Sequence, residues 1–292
     1  MKIVLFGKDG QLGWEFQRIL PVLGEVTALG RRDADVSDLN TIEKILGELN
    51  PDLIINASAY TEVDKAETQV DLAITVNATA PGVMAEMARK LNAVFIHYST
   101  DYVFDGNNTI PYKETDPANP LSVYGQSKLN GEQNVQQAGD AYLILRTSWV
   151  YSLRGNSFVN KVLGWARKNE TLKIVSDQIS SPTWARMLAE ITSLVIAPSK
   201  AVLFDSIRER RGLYHLAGSG YTSRYEWAKQ ILANDQNLEE QLTHTLEPGL
   251  TSDFPTPATR PLFSALDCAR FRENFGLQMP DWNTMLNLAM AE

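Results

Sequence analysis

Short apolar runs alternate with amphipathic stretches through the first half of the chain. Ile3–Phe6 reads as a buried strand, and a helix is expected from about Gln11 to Leu20. Glu25–Leu29 reads as a second strand, ending at Gly30-Arg31-Arg32. Helical spacing returns over Leu39–Leu49, with Ser37 or Asp38 as the N-cap. Asp52–Asn56 is a third strand, Ala57–Thr61 a loop, and Val70–Leu91 one long helical pattern. Ala93–His97 is a fourth strand, and Leu143–Arg146 is a later one beyond a helix around Tyr124. This alternation predicts an α/β fold, a doubly wound parallel sheet of Rossmann type with helices on both faces. Right-handed crossovers then bring every strand's C-terminal end to one edge.

Past residue 150 the alternation loosens, and Pro182, Pro198, Pro248, Pro255, Pro257, Pro261 and Pro280 interrupt it. The expected division is a dinucleotide-binding domain over 1–150 with parts of 170–215. A smaller, less regular substrate-binding domain is expected over about 151–170 and 216–292. The segment Glu247–Pro261, rich in Pro, Thr and Ser, reads as an ordered loop or lid.

The 292 residues are 44% apolar and carry a net charge of −8, enough for a sizeable core but poorly suited to nucleic acid. Cys268 is the only cysteine, so an intramolecular disulfide is excluded and a small core residue is expected. The four apolar residues before Gly7 are too few for a signal peptide, and no run approaches a membrane span. A cytoplasmic protein without membrane contact is the expectation.

Between the first strand and first helix stands Gly7-Lys8-Asp9-Gly10-Gln11-Leu12-Gly13. Glycine permits positive φ and lets backbone approach a pyrophosphate, while the helix N-terminus offers N–H groups and a positive dipole end. The G-x-x-G-x-x-G spacing is the form typical of short-chain dehydrogenases/reductases. Where a carboxylate would hold the ribose 2′-hydroxyl of NADH, the second strand ends in Gly30-Arg31-Arg32. Arg31 suits a 2′-phosphate and hence NADPH; Asp33 or Asp35 can still serve NADH.

Tyr124-Gly125-Gln126-Ser127-Lys128 puts a phenol and an ammonium on one helix face. A nearby ammonium is expected to lower the phenol's pKa, which suits proton exchange with an alcohol. Thr100, just past the fourth strand, is placed to hydrogen-bond a substrate carbonyl. A second copy, Tyr225-Glu226-Trp227-Ala228-Lys229, lies far from the glycine loop and is expected to serve ordinary helix amphipathicity.

With these motifs stand Asn56-Ala57-Ser58-Ala59-Tyr60-Thr61, Val63-Asp64-Lys65-Ala66-Glu67, Ser99–Gly106, Arg146–Tyr151 and Arg260-Pro261. On them the chain resembles the dTDP-4-dehydrorhamnose reductases, extended members of the short-chain dehydrogenase/reductase superfamily, over nearly its whole length. The resemblance implies cofactor contacts at Gly10, Gln11, Leu12, Asp35, Val36, Ala59, Tyr60 and Thr61, beside the glycines Gly7 and Gly13. It implies a catalytic group of Thr100, Tyr124 and Lys128, and substrate contacts at Thr100, Asp101, Trp149 and Arg260. It further implies NADPH (or NADH), a magnesium ion with unassigned ligands, a homodimer, and reduction of a dTDP-sugar C4 ketone. Two other readings share the scaffold: a sugar-nucleotide dehydratase or epimerase, and a dinucleotide-binding regulatory subunit. Tyr102 after Asp101, where dehydratases carry Glu, speaks against dehydration; the intact Thr100, Tyr124 and Lys128 speak for an enzyme.

Overall fold

The computed structural model describes residues 1–291. Five strands arise from the apolar runs: β1 (Lys2–Phe6), β2 (Glu25–Leu29), β3 (Leu53–Asn56), β4 (Val94–Thr100) and β5 (Tyr142–Thr147). A sixth, Gly212–His215, completes one sheet at the edge of β5. Its order from that edge is sixth strand, β5, β4, β3, β1, β2, and every pairing is parallel. The chain reverses direction across the sheet between β1 and β3, which opens a crevice at their C-terminal ends.

The helices of this part are α1 (Gln11–Ile19), α2 (Leu39–Leu49), α3 (Val63–Ala66), α4 (Val70–Ile74), α5 (Ala80–Leu91) and α6 (Val123–Ala138). Asp38 caps α2, accepting from the amides of Asn40 and Thr41. Strand side chains alternate between faces. Ile3, Leu5, Ile96 and Tyr98 join α1 and the helix Ala185–Val195 in one core, while Val4, Phe6, Ile54 and Phe95 join α2 and α5 in the other.

Two departures from the sequence pattern matter for the site. β4 runs to Thr100 rather than stopping at His97, because Tyr98, Ser99 and Thr100 still pair with Leu145, Arg146 and Thr147 of β5. The expected helix over Val70–Leu91 is interrupted by a π turn at Thr75–Thr79. Pro81 opens the helix after it and has no N–H to give back to the preceding turn.

Beyond β5, the helices Phe158–Ala166 and Arg224–Ala233 and a parallel pair, Thr171–Val175 with Thr245–Gly249, form a second layer of structure. A further apolar cluster, including Val103, Phe104, Tyr112, Phe263 and Leu266, ties this part to the end of β4. No single helix among the described residues is long and apolar enough to cross a membrane.

Candidate active site

The glycine loop leaves β1 at Gly7, whose φ of 87° and amide bond to the Leu29 carbonyl turn the chain sharply. A Cβ at Gly7 would stand 2.6 Å from the Ala57 carbonyl carbon and the Ser58 nitrogen at the end of β3. A Cβ at Gly13 would stand 2.0 Å from the Gly7 oxygen. These two positions need glycine for space. Gly10 has an ordinary extended φ of −76° as the N-cap of α1, so the expectation of positive φ holds at Gly7 alone in this loop. Gln11 and Leu12 open α1; the Gln11 amide reaches the Val150 carbonyl at 3.4 Å, and its Oε1 is buried without a partner.

Arg31, Asp35 and Val36 lie past the end of β2. Asp33 pairs with Lys8 at 2.5 Å and accepts from the Gly30 amide, and Asp35 accepts from the Ser37 amide and hydroxyl. Both carboxylates that could hold a ribose are thus engaged. Arg31 is 79% exposed and only 3.5 Å from Asp35. Ala59, Tyr60 and Thr61 follow β3. Asn77, in the π turn, clasps Tyr60 by accepting from its amide and donating to its carbonyl. These expected cofactor contacts lie together along the C-terminal ends of β1, β2 and β3.

The catalytic candidates meet at the end of β4. Ser122 caps α6 by accepting from the Gly125 amide, and Glu67 accepts from the Val123 amide, fixing how the helix starts. Tyr124 and Lys128 sit one turn apart, but the lysine points into the sheet, donating to the Tyr98 carbonyl at 2.5 Å and lying 3.5 Å from His97 Nε2. One turn on, Glu132 accepts two bonds from Arg146 of β5, at 2.8 and 2.7 Å, and one from Ser99 at 2.5 Å. This buried pair pins α6 to the sheet.

The expected lowering of the Tyr124 phenol by Lys128 is overturned. Loss of solvent pushes the phenol above its ordinary value, with Asp101 and Tyr102 adding to the rise and a hydrogen bond with Thr100 opposing it. The ammonium has no such effect because it is drawn to the Tyr98 carbonyl. Burial brings Lys128 down to about 8, against the pull of Glu132. At neutral pH Tyr124 therefore carries its proton.

Asp101 is 2% exposed, and its carboxylate accepts from Ser264 at 2.5 Å, Ser180 at 3.0 Å and Thr100 at 3.1 Å. Burial raises it to about 6 despite these bonds. Its carboxylate is thus taken up by Thr100, Ser180 and Ser264 rather than turned to open space.

Trp149 has φ 41°, a left-handed conformation disfavoured for so large a side chain. A stack holds it there: its ring lies 5.6 Å from Trp227 at 14°, and the Arg224 guanidinium sits 3.7 Å from its centroid. Arg260 donates to Asp64 at 2.8 Å, to the Ala258 carbonyl at 3.0 Å and to Thr256, so it closes its own loop against the Rossmann half.

A cavity of about 220 Å³ opens beside Arg224 and Arg260, lined also by Phe158, Lys173, Gln178 and Phe254 among others. Sequence reading missed Arg224, Lys173 and Gln178. Arg224 has no acidic partner among the described residues and, lowered to about 10 by its enclosure, is still charged at neutral pH. No motif flagged it; it directly precedes the second Tyr-x-x-x-Lys copy.

Among the described residues, no group of three or more His, Cys, Asp or Glu side chains could hold a metal ion. The implied magnesium gains no support from a single chain. Cys268 is half-buried, and loss of solvent around its thiol pushes it up to about 12.

The RmlD substrate binding domain family matches residues 1–292. A dTDP-4-dehydrorhamnose reductase of Burkholderia thailandensis is 40% identical over 301 residues, covering 100% of this chain and 99% of its own. The structure of a dTDP-4-dehydrorhamnose reductase from Clostridium acetobutylicum superposes with a TM-score of 0.90 at 33% identity, covering 100% and 99%. That of the Bacillus anthracis enzyme in complex with NADP gives 0.89 at 31% identity, covering 99% and 98%. Glycine cradle, Tyr–Lys helix and full-length similarity agree: the chain belongs to the dTDP-4-dehydrorhamnose reductase family.

Proposed function

We propose that the protein reduces the C4 ketone of dTDP-4-dehydro-L-rhamnose to give dTDP-L-rhamnose, with NADPH as reductant. The observation that carries the reading is the meeting of Thr100, a protonated Tyr124 and Lys128 at the end of β4, on the same sheet edge as the glycine turn that follows β1.

When bound, NADPH supplies the hydride that adds to C4. The close backbone packing that Gly7 and Gly13 allow sets the N-terminus of α1 just past the end of β1, where its free N–H groups suit the pyrophosphate. Arg31 and Arg32 meet the 2′-phosphate. Thr100 gives its one hydroxyl proton to Asp101 in the free site and turns it to the ketone oxygen when the substrate binds. Tyr124, protonated at neutral pH, gives its proton to that oxygen as the alcohol forms. Lys128, one turn along α6 and held on the Tyr98 carbonyl, is the source from which the phenolate is reprotonated by an indirect path. Arg224 neutralises the sugar nucleotide's diphosphate, and the residues about 151–170 and 216–292 act as the substrate-binding domain.

The test is NADPH oxidation with the enzymatically prepared 4-keto sugar, with the product identified by NMR. Consumption of NADPH with formation of dTDP-L-rhamnose is expected. Failure with this sugar but turnover of another dTDP-hexulose would keep the chemistry and change the substrate.

A further inference from the structure

His97, Asn56 and Lys128 form a chain of hydrogen bonds with a fixed direction. All three are buried, at 0%, 1% and 2% exposure. The direction is set at its outer end. Asn56 Oδ1 lies 3.0 Å from the Ser58 amide and 2.6 Å from its hydroxyl. A backbone N–H only donates, so the atom facing it must be the amide oxygen. Asn56 Nδ2, 3.2 Å from His97 Nδ1, must then donate to it. Nδ1 is the bare nitrogen, and in a neutral ring the proton is on Nε2. That Nε2–H faces Lys128 Nζ at 3.5 Å. An ammonium cannot accept from it, whereas a neutral amine can, while still donating to the Tyr98 carbonyl.

We propose that His97 is a positioning residue for Lys128: it presents a ring N–H to the lysine nitrogen, so that the lysine gives its proton up toward the Tyr124 phenolate and retakes one from solvent without leaving its place. The ring itself stays neutral, since burial and the lysine hold it well below its ordinary value. The charged and titratable groups around the lysine are few. Its own helix supplies Tyr124 and Glu132, the latter committed to Arg146 of β5 and Ser99 of β4. β4 supplies His97 and the Tyr98 carbonyl.

This inference rests on the role assigned to Lys128 above, but it can be tested without substrate. Long-range 1H–15N spectra of the full-length protein labelled with 15N-histidine read the tautomer, with His97 assigned by its loss in His97→Gln. The neutral Nε2–H form is expected across about pH 6 to 9. In 13C-lysine-labelled protein, the Lys128 Cε titration is assigned with Lys128→Met. Its midpoint should rise by about half a pH unit or more in His97→Phe. It should return toward the wild-type value in His97→Gln, whose amide can donate. An Nδ1–H tautomer, or an unmoved lysine midpoint in folded His97→Phe, overturns the proposal. Should His97→Phe not fold, the wild-type tautomer decides alone. Wild-type protein that reduces no 4-keto sugar would sink the functional reading and leave these spectra standing.

Discussion

Tyr124-x-x-x-Lys128 and Tyr225-x-x-x-Lys229 share one spacing and have different fates. In the first, the lysine is 2% exposed and bound to a strand carbonyl, and the tyrosine hydroxyl is desolvated beside Thr100. In the second, the lysine side chain is 60% exposed, 3.8 Å from Glu226, and the Tyr225 hydroxyl donates to the Leu246 carbonyl. Helical geometry makes both pairs face-sharing; only the sheet edge makes one of them chemical. What differs is what the helix is nailed to. Glu132 anchors α6 to β5 and β4 through charge-assisted bonds, whereas Glu226 holds a surface lysine.

The largest contrast is in stability. Removing one partner of a buried ion pair leaves the other charge stranded, at a cost of about 3–5 kcal/mol. Glu132→Leu strands Arg146, whose Nη1 already lacks a partner, and should lose stability on that scale in urea denaturation. Glu226→Leu breaks an exposed pair worth at most about 1 kcal/mol. Similar losses from both would mean that α6 is held by its apolar contacts instead.

Next comes catalysis. Tyr124→Phe should lower kcat by about 10²-fold or more with NADPH affinity nearly unchanged, because only the proton donor is removed. Tyr225→Phe should stay within about threefold. Equal effects, or none at Tyr124, would return the first copy to the same status as the second.

The sheet and the catalytic pair were legible in the sequence because each has a local cause. Apolar runs of strand length, Asp38 and Ser122 as caps, and the glycine at 13 act within a few residues of themselves. The sign of the Tyr124 shift was not legible, since it depends on where Lys128 Nζ turns and on how much solvent reaches the phenol. Nor was the π turn, which depends on Asn77 reaching Tyr60 across the loop. Arg224 was invisible because its meaning comes from Trp149, about 75 residues earlier, and from a strained φ that no composition reveals.

That miss sharpens a second contrast, between two arginines on one cavity. Arg260 is committed to Asp64 and to its own loop, while Arg224 faces the cavity without an acidic partner among the described residues. A charge-assisted contact to phosphate is worth roughly 1.5–3 kcal/mol. Arg224→Ala should therefore raise the KM for the dTDP-sugar by about tenfold or more. Arg260→Ala should raise it less, through loosening of the loop. The reverse order in steady-state kinetics would give the diphosphate back to Arg260.

The smallest expected effect concerns the cofactor end, where exposure works in favour of function. Arg31 is held only by a 3.5 Å pair with Asp35 across solvent, so little is lost when it turns to a 2′-phosphate. Asp33 is already engaged by Lys8 and the Gly30 amide, so it does not offer a free carboxylate to a ribose diol. An acidic side chain at position 30 itself would run into Asp9, whose Oδ2 lies 2.0 Å from where its Cβ would stand. Together these favour NADPH over NADH by about tenfold, the equivalent of roughly 1.4 kcal/mol from one exposed contact. Replacing Arg31 and Arg32 together with Ala should abolish that preference by raising the KM for NADPH while leaving that for NADH unchanged. Equal use of both cofactors by the wild type would make the two arginines plain surface charge, no more chemical than Lys229.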